Sequence, residues 1–295
     1  MLQSSIPDVD YGDRLQAGVL IPSGNPVAEP ELRAMLPAGC SMLVTRLPLR
    51  GSSTTELTQM IDRLEAASEL LADARVDVIV FHCTAVSTFA PDLAHGIRER
   101  IERASGIRCF TTADAILAAL SQLNAKRISL LTPYIDEVHA REMAWLEASG
   151  VEVEGGVNLG INTNTDMARL QPEEILGWAR ENISDAADAC FLSCTSIKSA
   201  AIIEPLERIC GRSVLTSNQS MVWHLLRSSN ILDSVEGFGR LFKESGSEAV
   251  SASAASSGVI NRLSAAACEF PCCRPRAESR VNCRRANTAC RLRCA

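Results

Sequence analysis

A strand-like apolar run that ends in cysteine and threonine occurs twice in this chain, with the two cysteines 111 positions apart. In VDVIVFHCTAVS (76–87) the run from Val76 to Phe81 leads through His82 to Cys83 and Thr84. In ADACFLSCTSIKS (187–199) the run from Ala189 to Leu192 leads through Ser193 to Cys194 and Thr195. Each cysteine reads as the end of a buried strand meeting the start of a helix. A second pair of segments, GVLIPSGN (18–25) and ISLLTPYI (128–135), is offset by 110 from Gly18 to Ile128. Near-equal offsets imply a duplicated fold, with a cleft between its halves at the C-terminal ends of the strands.

The pattern between these landmarks supports the duplication. AGVLI (17–21), SMLVTRL (41–47), VDVIVF (76–81) and IRCFT (107–111) read as strands, and RISLLT (127–132), VEVEG (151–155), ACFLS (189–193) and SVLTS (213–217) repeat the series. Residues 55–74 carry one helical period, capped by Ser52, Ser53 or Thr54. A helix with Pro91 in its first turn spans 91–105, one over 136–150 ends on Gly150, and another covers 173–186. Strands alternating with helices through short loops predict parallel sheets in an α/β fold. The expected division is a first lobe of 16–115 plus about 218–244 and a second lobe of 116–217.

Composition separates the end of the chain from the rest. The whole chain has 295 residues, is 46% hydrophobic and 22% charged, and carries a net charge of −6. That is a globular composition with no nucleic-acid footprint. No secretory signal and no stretch of transmembrane length is read, so a cytoplasmic protein with reduced thiols is expected. Six of the twelve cysteines fall in the last 28 residues, where eight arginines and three glutamates lie between 246 and 295. Their spacing matches no zinc pattern, and the segment reads as a disordered basic tail.

The candidate chemistry lies at the strand ends. A thiol at a helix start faces unpaired backbone N–H groups that favour the thiolate. Two such thiols facing one another can act as nucleophile and acid, or as paired acid and base, without a cofactor. Either cysteine alone would read as a buried, inert core thiol. Asn25 follows the first strand, where an asparagine also serves turn geometry. Tyr134 follows the equivalent strand and offers a hydroxyl to a carboxylate. Thr84 and Thr195 add hydroxyls, and Asn164, in a polar loop that also reads as a helix cap, offers an amide. His82 is pointed away from Cys83 by strand alternation, and His139 is a weak candidate. No glycine-rich phosphate loop and no metal-ligand spacing occurs in 16–244.

IPSGN (21–25), HCTAVS (82–87), LTPYIDEVH (131–139), LGINTNTDMARL (159–170), LSCTS (192–196) and GFGRLF (237–242) together resemble the aspartate/glutamate racemase superfamily. Within it, they are similar to the branch of maleate cis-trans isomerases and arylmalonate decarboxylases. The resemblance implies two flavodoxin-like lobes, each with a four-stranded parallel sheet, related by pseudo-two-fold symmetry, and no metal or cofactor. In the decarboxylase the first-half cysteine is replaced by glycine, so Cys83 argues against decarboxylation. Racemases of the family carry an acidic residue and serine after the first strand, where this chain has Ser23-Gly24-Asn25. Asn25, Cys83, Tyr134, Asn164 and Cys194 resemble the maleate isomerase pattern. The threonine- and serine-rich HCTAVS is closer to relatives linked to ectoine breakdown. The expectation is a cis-trans isomerase of a small dicarboxylate. The alternatives are a racemase or epimerase acting on amino-acid derivatives in ectoine-type catabolism, and a non-enzymatic small-ligand binding protein. The partner implied is a small carboxylate, with neither nucleic acid nor membrane, and a homo-oligomer is left open.

Overall fold

The computed structural model describes residues 9–51, 54–89 and 93–243. The chain from 244 onward, with the tail expected there, lies outside the described residues, as do Pro91 and the candidate caps Ser52 and Ser53. The first half runs β1 (Leu15–Pro22), α1 (Ala28–Met35), β2 (Cys40–Leu47), α2 (Thr54–Ile61), α3 (Leu64–Asp73), β3 (Val78–Phe81), α4 (Thr84–Ser87), α5 (Leu93–Ser105), β4 (Cys109–Thr111) and α6 (Thr112–Gln122). The second runs β5 (Arg127–Thr132), α7 (Asp136–Ala148), β6 (Glu152–Asn158), α8 (Asn164–Met167), α9 (Pro172–Asn182), β7 (Ala189–Leu192), a 3-10 turn (Ala200–Ile202), α10 (Ile203–Cys210), β8 (Ser213–Thr216), α11 (Ser217–Ser228) and α12 (Arg240–Lys243).

The eight strands form two four-stranded parallel sheets with the same order, β2-β1-β3-β4 and β6-β5-β7-β8. The central strands β3 and β7 are buried at every residue because helices cover both faces. Edge strand β2 is buried at Cys40, Met42 and Leu47 and more open at its other positions. One apolar cluster joins the two sheets, with Val19, Val78 and Phe110 from one and Leu130, Phe191 and Leu215 from the other. Met221, Val222 and Leu225 of α11 belong to the same cluster. Each sheet also has an outer cluster of its own, built around Leu20, Ile79 and Phe81 in the first and around Leu131, Cys190 and Leu192 in the second.

In both sheets the connections leave the first strand in one direction and the third in the other. The crevices therefore open at the C-terminal ends of β1 and β3 and of β5 and β7. Those ends carry Asn25 and Cys83 in one half and Tyr134 and Cys194 in the other.

The helix expected over 173–186 ends at Asn182, where Ile183 turns extended at ψ 123°, and two other expectations differ in detail. The single helix expected over 55–74 is broken into α2 and α3, with Arg63 outside the helical region at φ −106° and ψ 3°. Met60 before the break and Leu64 after it are both fully buried in the outer cluster. The strand expected over 151–155 continues to Asn158, since β5 pairs with it through Thr132. The chain leaves α7 as expected, with Gly150 at φ +83°, a conformation that costs glycine little.

Candidate active site

Cys83 and Cys194 are 3% and 2% exposed and lie close enough for the charge of one to act on the other. Their settings differ. Cys83 has extended backbone at φ −152° and caps the single turn of α4, where the Val86 and Ala85 N–H groups reach its sulfur. No helix starts at Cys194; Thr195–Ile197 turn the chain before the 3-10 segment. Cys194 adopts φ +131°, a region that favours glycine. Its Sγ accepts from the Ser196 N–H at 3.2 Å, is hydrogen-bonded to the Tyr134 hydroxyl and lies 3.8 Å from Met167 Sδ.

The expected depression of the thiol pKa by a helix start does not occur. Burial pushes Cys83 up to about 12 against the pull of the Val86 and Ala85 N–H groups. Burial also pushes Cys194 up to about 12 against the Ser196 N–H and Tyr134. A single four-residue turn has a small dipole, and loss of hydration outweighs it. Tyr134 is likewise raised, first by burial and then by the charges it would meet at Cys194 and Glu142.

The other sequence candidates gather around this pair. Asn25 is 0% exposed and its amide is fully used. Oδ1 accepts from the Val27 and Ala28 N–H groups at 2.9 and 3.0 Å, securing the start of α1. Nδ2 donates to the carbonyl and the hydroxyl of Thr195, both at 3.0 Å. Thr195 is thus occupied by Asn25, and this contact ties the turn after β1 to the turn after β7. Thr84 donates to Ser217 Oγ at 2.9 Å, and the same oxygen accepts from the Cys194 N–H at 3.1 Å. Ser217, the first residue of α11, therefore holds both cysteine turns. Asn164 is half-buried; its N–H donates to the Arg50 carbonyl at 3.1 Å, and its Nδ2 points at the Leu49 carbonyl at 3.4 Å. The cap of α8 is Thr163, whose hydroxyl accepts from the Asp166 N–H, so Asn164 is free of that duty.

His82 is turned away from Cys83, as strand alternation requires. Its Nδ1 meets Thr112 Oγ1 at 3.1 Å and its Nε2 meets Asn218 Oδ1 at 2.8 Å. Burial lowers it to about 4, so the ring is neutral near pH 7 and serves as a structural link. Asn218 passes the link on to Glu31 Oε2 at 2.7 Å, and Glu31 Oε1 accepts from the Ala200 N–H at 2.9 Å. His139 bonds Thr132 Oγ1 at 3.0 Å through Nδ1 and joins none of these contacts. Among the described residues no group of three or more His, Cys, Asp or Glu side chains is placed to hold a metal ion.

The model for arylmalonate decarboxylases matches residues 17–242, from within β1 to within α12 and so across both sheets. The chain belongs to the arylmalonate decarboxylase family. Over 238 residues it is 29% identical to the maleate isomerase of Nocardia farcinica, covering 77% of this chain and 95% of that one. It is 30% identical over 148 residues to the arylmalonate decarboxylase of Bordetella bronchiseptica, 49% of this chain and 62% of that one. Among solved structures, a variant of the Nocardia farcinica maleate cis-trans isomerase with a covalently bound succinylcysteine intermediate aligns with a TM-score of 0.73. That alignment has 26% identity and covers 77% of this chain and 98% of that one. The twin-sheet architecture and the family resemblance read from the motifs both hold.

Around the two cysteines of this arylmalonate decarboxylase-family chain, sequence reasoning missed the contacts of Ser217, Asn218, Glu31 and Glu142. A signal for the first two exists. Thr111–Asp114 and Thr216–Gln219 are paired capping boxes, and each marks a helix that begins at the crevice. The signal for the glutamates is the repeat itself: they are 111 positions apart, as are the cysteines.

Proposed function

We propose that this protein is a cofactor-independent cis-trans isomerase of a small dicarboxylate of the maleate type, with Cys83 as nucleophile and Cys194 as acid. The observation that carries this reading is the meeting of two buried thiols from the two halves, one with a tyrosine hydroxyl on its sulfur. The curated maleate isomerase relatives support an isomerase, and the cysteine at 83 speaks against decarboxylation, since the resemblance puts glycine there in the decarboxylase.

In this mechanism one proton leaves the thiol pair for solvent before the site closes. The Cys83 sulfur forms a bond to one alkene carbon, and the π electrons move to the neighbouring carbon, stabilised by its carboxylate. The Cys194 Sγ–H supplies the proton there, giving a thioether with a single C–C bond that rotates freely. Cys194 as thiolate then takes the proton back, the C–S bond breaks and the trans alkene leaves. Burial that disfavours a free thiolate also removes the water that would quench the carbanion.

Substrate carboxylates need donors. Asn25 Nδ2, the Thr84 and Thr195 hydroxyls, Tyr134, Asn164 Nδ2 and the N–H groups after both cysteines are the candidates; Asn25 is now paired with Thr195, Thr84 with Ser217 and Asn164 with the Leu49 carbonyl. Substrate binding is therefore an exchange: a carboxylate takes the place that Thr195 occupies on Asn25, and the halves part to admit it.

Proton NMR of the reduced protein with maleate tests the proposal. Fumarate formed by the parent and abolished in Cys83→Ala and Cys194→Ala is the expected result. A folded parent that forms no fumarate overturns the maleate assignment. Deuterium from solvent appearing at a stereocentre of an amino-acid derivative would favour the racemase reading instead.

A further inference from the structure

Glu142 of α7 is 1% exposed and lies behind the Cys194 turn. Ser193, the residue before Cys194, donates to its Oε1 at 2.6 Å, while Oε2 has no hydrogen-bond partner among the described residues. Glu31 stands at the equivalent repeat position, and His82, the residue before Cys83, reaches it through Asn218. The two carboxyls are nevertheless used differently. Glu31 is bonded through both oxygens, whereas Glu142 keeps one oxygen unspent in the interior. An unspent buried carboxyl is costly unless it serves something else.

The thiols show what it can serve. Both are buried, and each sulfur has two donors: the Val86 and Ala85 N–H groups for Cys83, and the Ser196 N–H and Tyr134 hydroxyl for Cys194. The difference between them is charge. Carboxylates at Glu142 and, less strongly, Glu31 act on Cys194, while the notable charge acting on Cys83 is Cys194 itself. A carboxylate beside Cys194 opposes a thiolate there, an opposition that Cys83 meets from Cys194 itself.

We propose that Glu142 is a positioning residue that keeps the proton of the thiol pair on Cys194, so that Cys83 is the one that ionises and attacks. This rests on the isomerase reading of the same site, and its test needs no turnover. Glu142 is itself pushed up to about 7 by burial, with Ser193 pulling the other way, so its charge appears across the neutral range. The titratable groups on which its charge acts are Tyr134 after β5 and Cys194 after β7, on which Glu31 of α1 also acts, and His139 and Arg141 are its neighbours on α7. Glu31 is also raised to about 7, and the Arg141 guanidinium is stacked on Phe89 at 4.3 Å.

Alkylation by iodoacetamide, read for each cysteine by peptide mass spectrometry, measures the thiolate balance directly. The rate ratio of Cys194 to Cys83 is followed in the reduced full chain from pH ~6 to ~9, where both thiols are mostly protonated and rates track thiol pKa. The reaction runs until Cys83 of the parent is fully modified, so an unmodified Cys194 counts as a low ratio. In the parent the ratio falls as the pH rises through about 7 and Glu142 becomes charged. In Glu142→Gln the fall is lost, and the ratio at pH ~8 is up to roughly tenfold higher, the equivalent of one pKa unit. A flat parent profile, or a folded Glu142→Gln that keeps the parent's fall, overturns the proposal. If Glu142→Gln does not fold, Glu31→Gln decides: a retained fall leaves Glu142 as its source, and a lost fall assigns it to Glu31. A ratio that behaves as expected in a protein that forms no fumarate would sink the isomerase reading and leave the role of Glu142 standing.

Discussion

Asn25→Ala separates what the fold asks of this residue from what a substrate asks of it. The amide makes four contacts at 0% exposure, two to the start of α1 and two to Thr195. Losing the cap costs about 1 kcal/mol. Losing the donor to the Thr195 hydroxyl, left in the interior, costs about 1 kcal/mol, and the carbonyl, which keeps the Asn218 amide at 3.4 Å, costs less. The sum is roughly 2–3 kcal/mol, a fall in Tm of about 4–12 °C for a chain of this size. Thr195→Val removes only the hydroxyl contact and should cost about 1 kcal/mol. Because the two residues share that bond, the double variant should be less damaged than the sum of the singles, by about 1 kcal/mol. Urea unfolding of the four proteins, followed by circular dichroism, measures all of this. An Asn25→Ala loss below about 1 kcal/mol, or a cycle additive within ~0.3 kcal/mol, would refute the claim that this amide clasps the two cysteine turns.

Three further outcomes are expected. His82 is lowered to about 4 by burial, so its contribution to stability is present above its unfolded value near 6.5 and is lost as the pH falls through 4. Comparing urea midpoints of parent and His82→Gln across that window should show the parent losing about 3 kcal/mol more on acidification, and parallel curves would count against a buried neutral ring. Glu142 is raised to about 7, so the sign reverses: stability is full below its unfolded value and is lost as the pH rises through 7. Glu142→Gln should remove that alkaline loss, and unfolding curves at pH ~5 and ~8 measure it. Cys194 holds φ +131°, so Cys194→Gly should be more stable than Cys194→Ala by about 1 kcal/mol or more, despite the usual entropic cost of glycine. Equal thermal midpoints for the two variants would show that the backbone there is unstrained.

Much of the site was legible because strands impose a rigid geometry on sequence. An apolar run ending in a cysteine must put that cysteine at a sheet's C-terminal edge, and β3 and β7 do so for Cys83 and Cys194. Alternation correctly sends His82 to the opposite side, onto Thr112 and Asn218. Asn164 was legible as a polar loop residue but not as a contact with the Arg50 turn of the other half, 114 positions away. For Ser217 and Asn218 the Thr216–Gln219 capping box marks a helix start, but nothing local says that α11 begins between the two cysteine turns.

The sequence by itself determined the duplication, the parallel α/β pattern and the presence of one cysteine at the equivalent point of each half. Those follow from local periodicity and from offsets along the chain, which need no knowledge of distant contacts. Only the tertiary structure decided the state of the thiols. The helix-start argument is local and points towards thiolate, but hydration is lost through packing by residues from both halves, and that loss prevails. Tertiary packing also decided that Asn25 and Thr195 are spent on each other, and that the twin glutamates part company. Glu31 is satisfied through Ala200 and Asn218, while Glu142 keeps an oxygen free behind Cys194. Equivalent positions in a repeat share a backbone setting, but the partners they meet come from elsewhere in the chain.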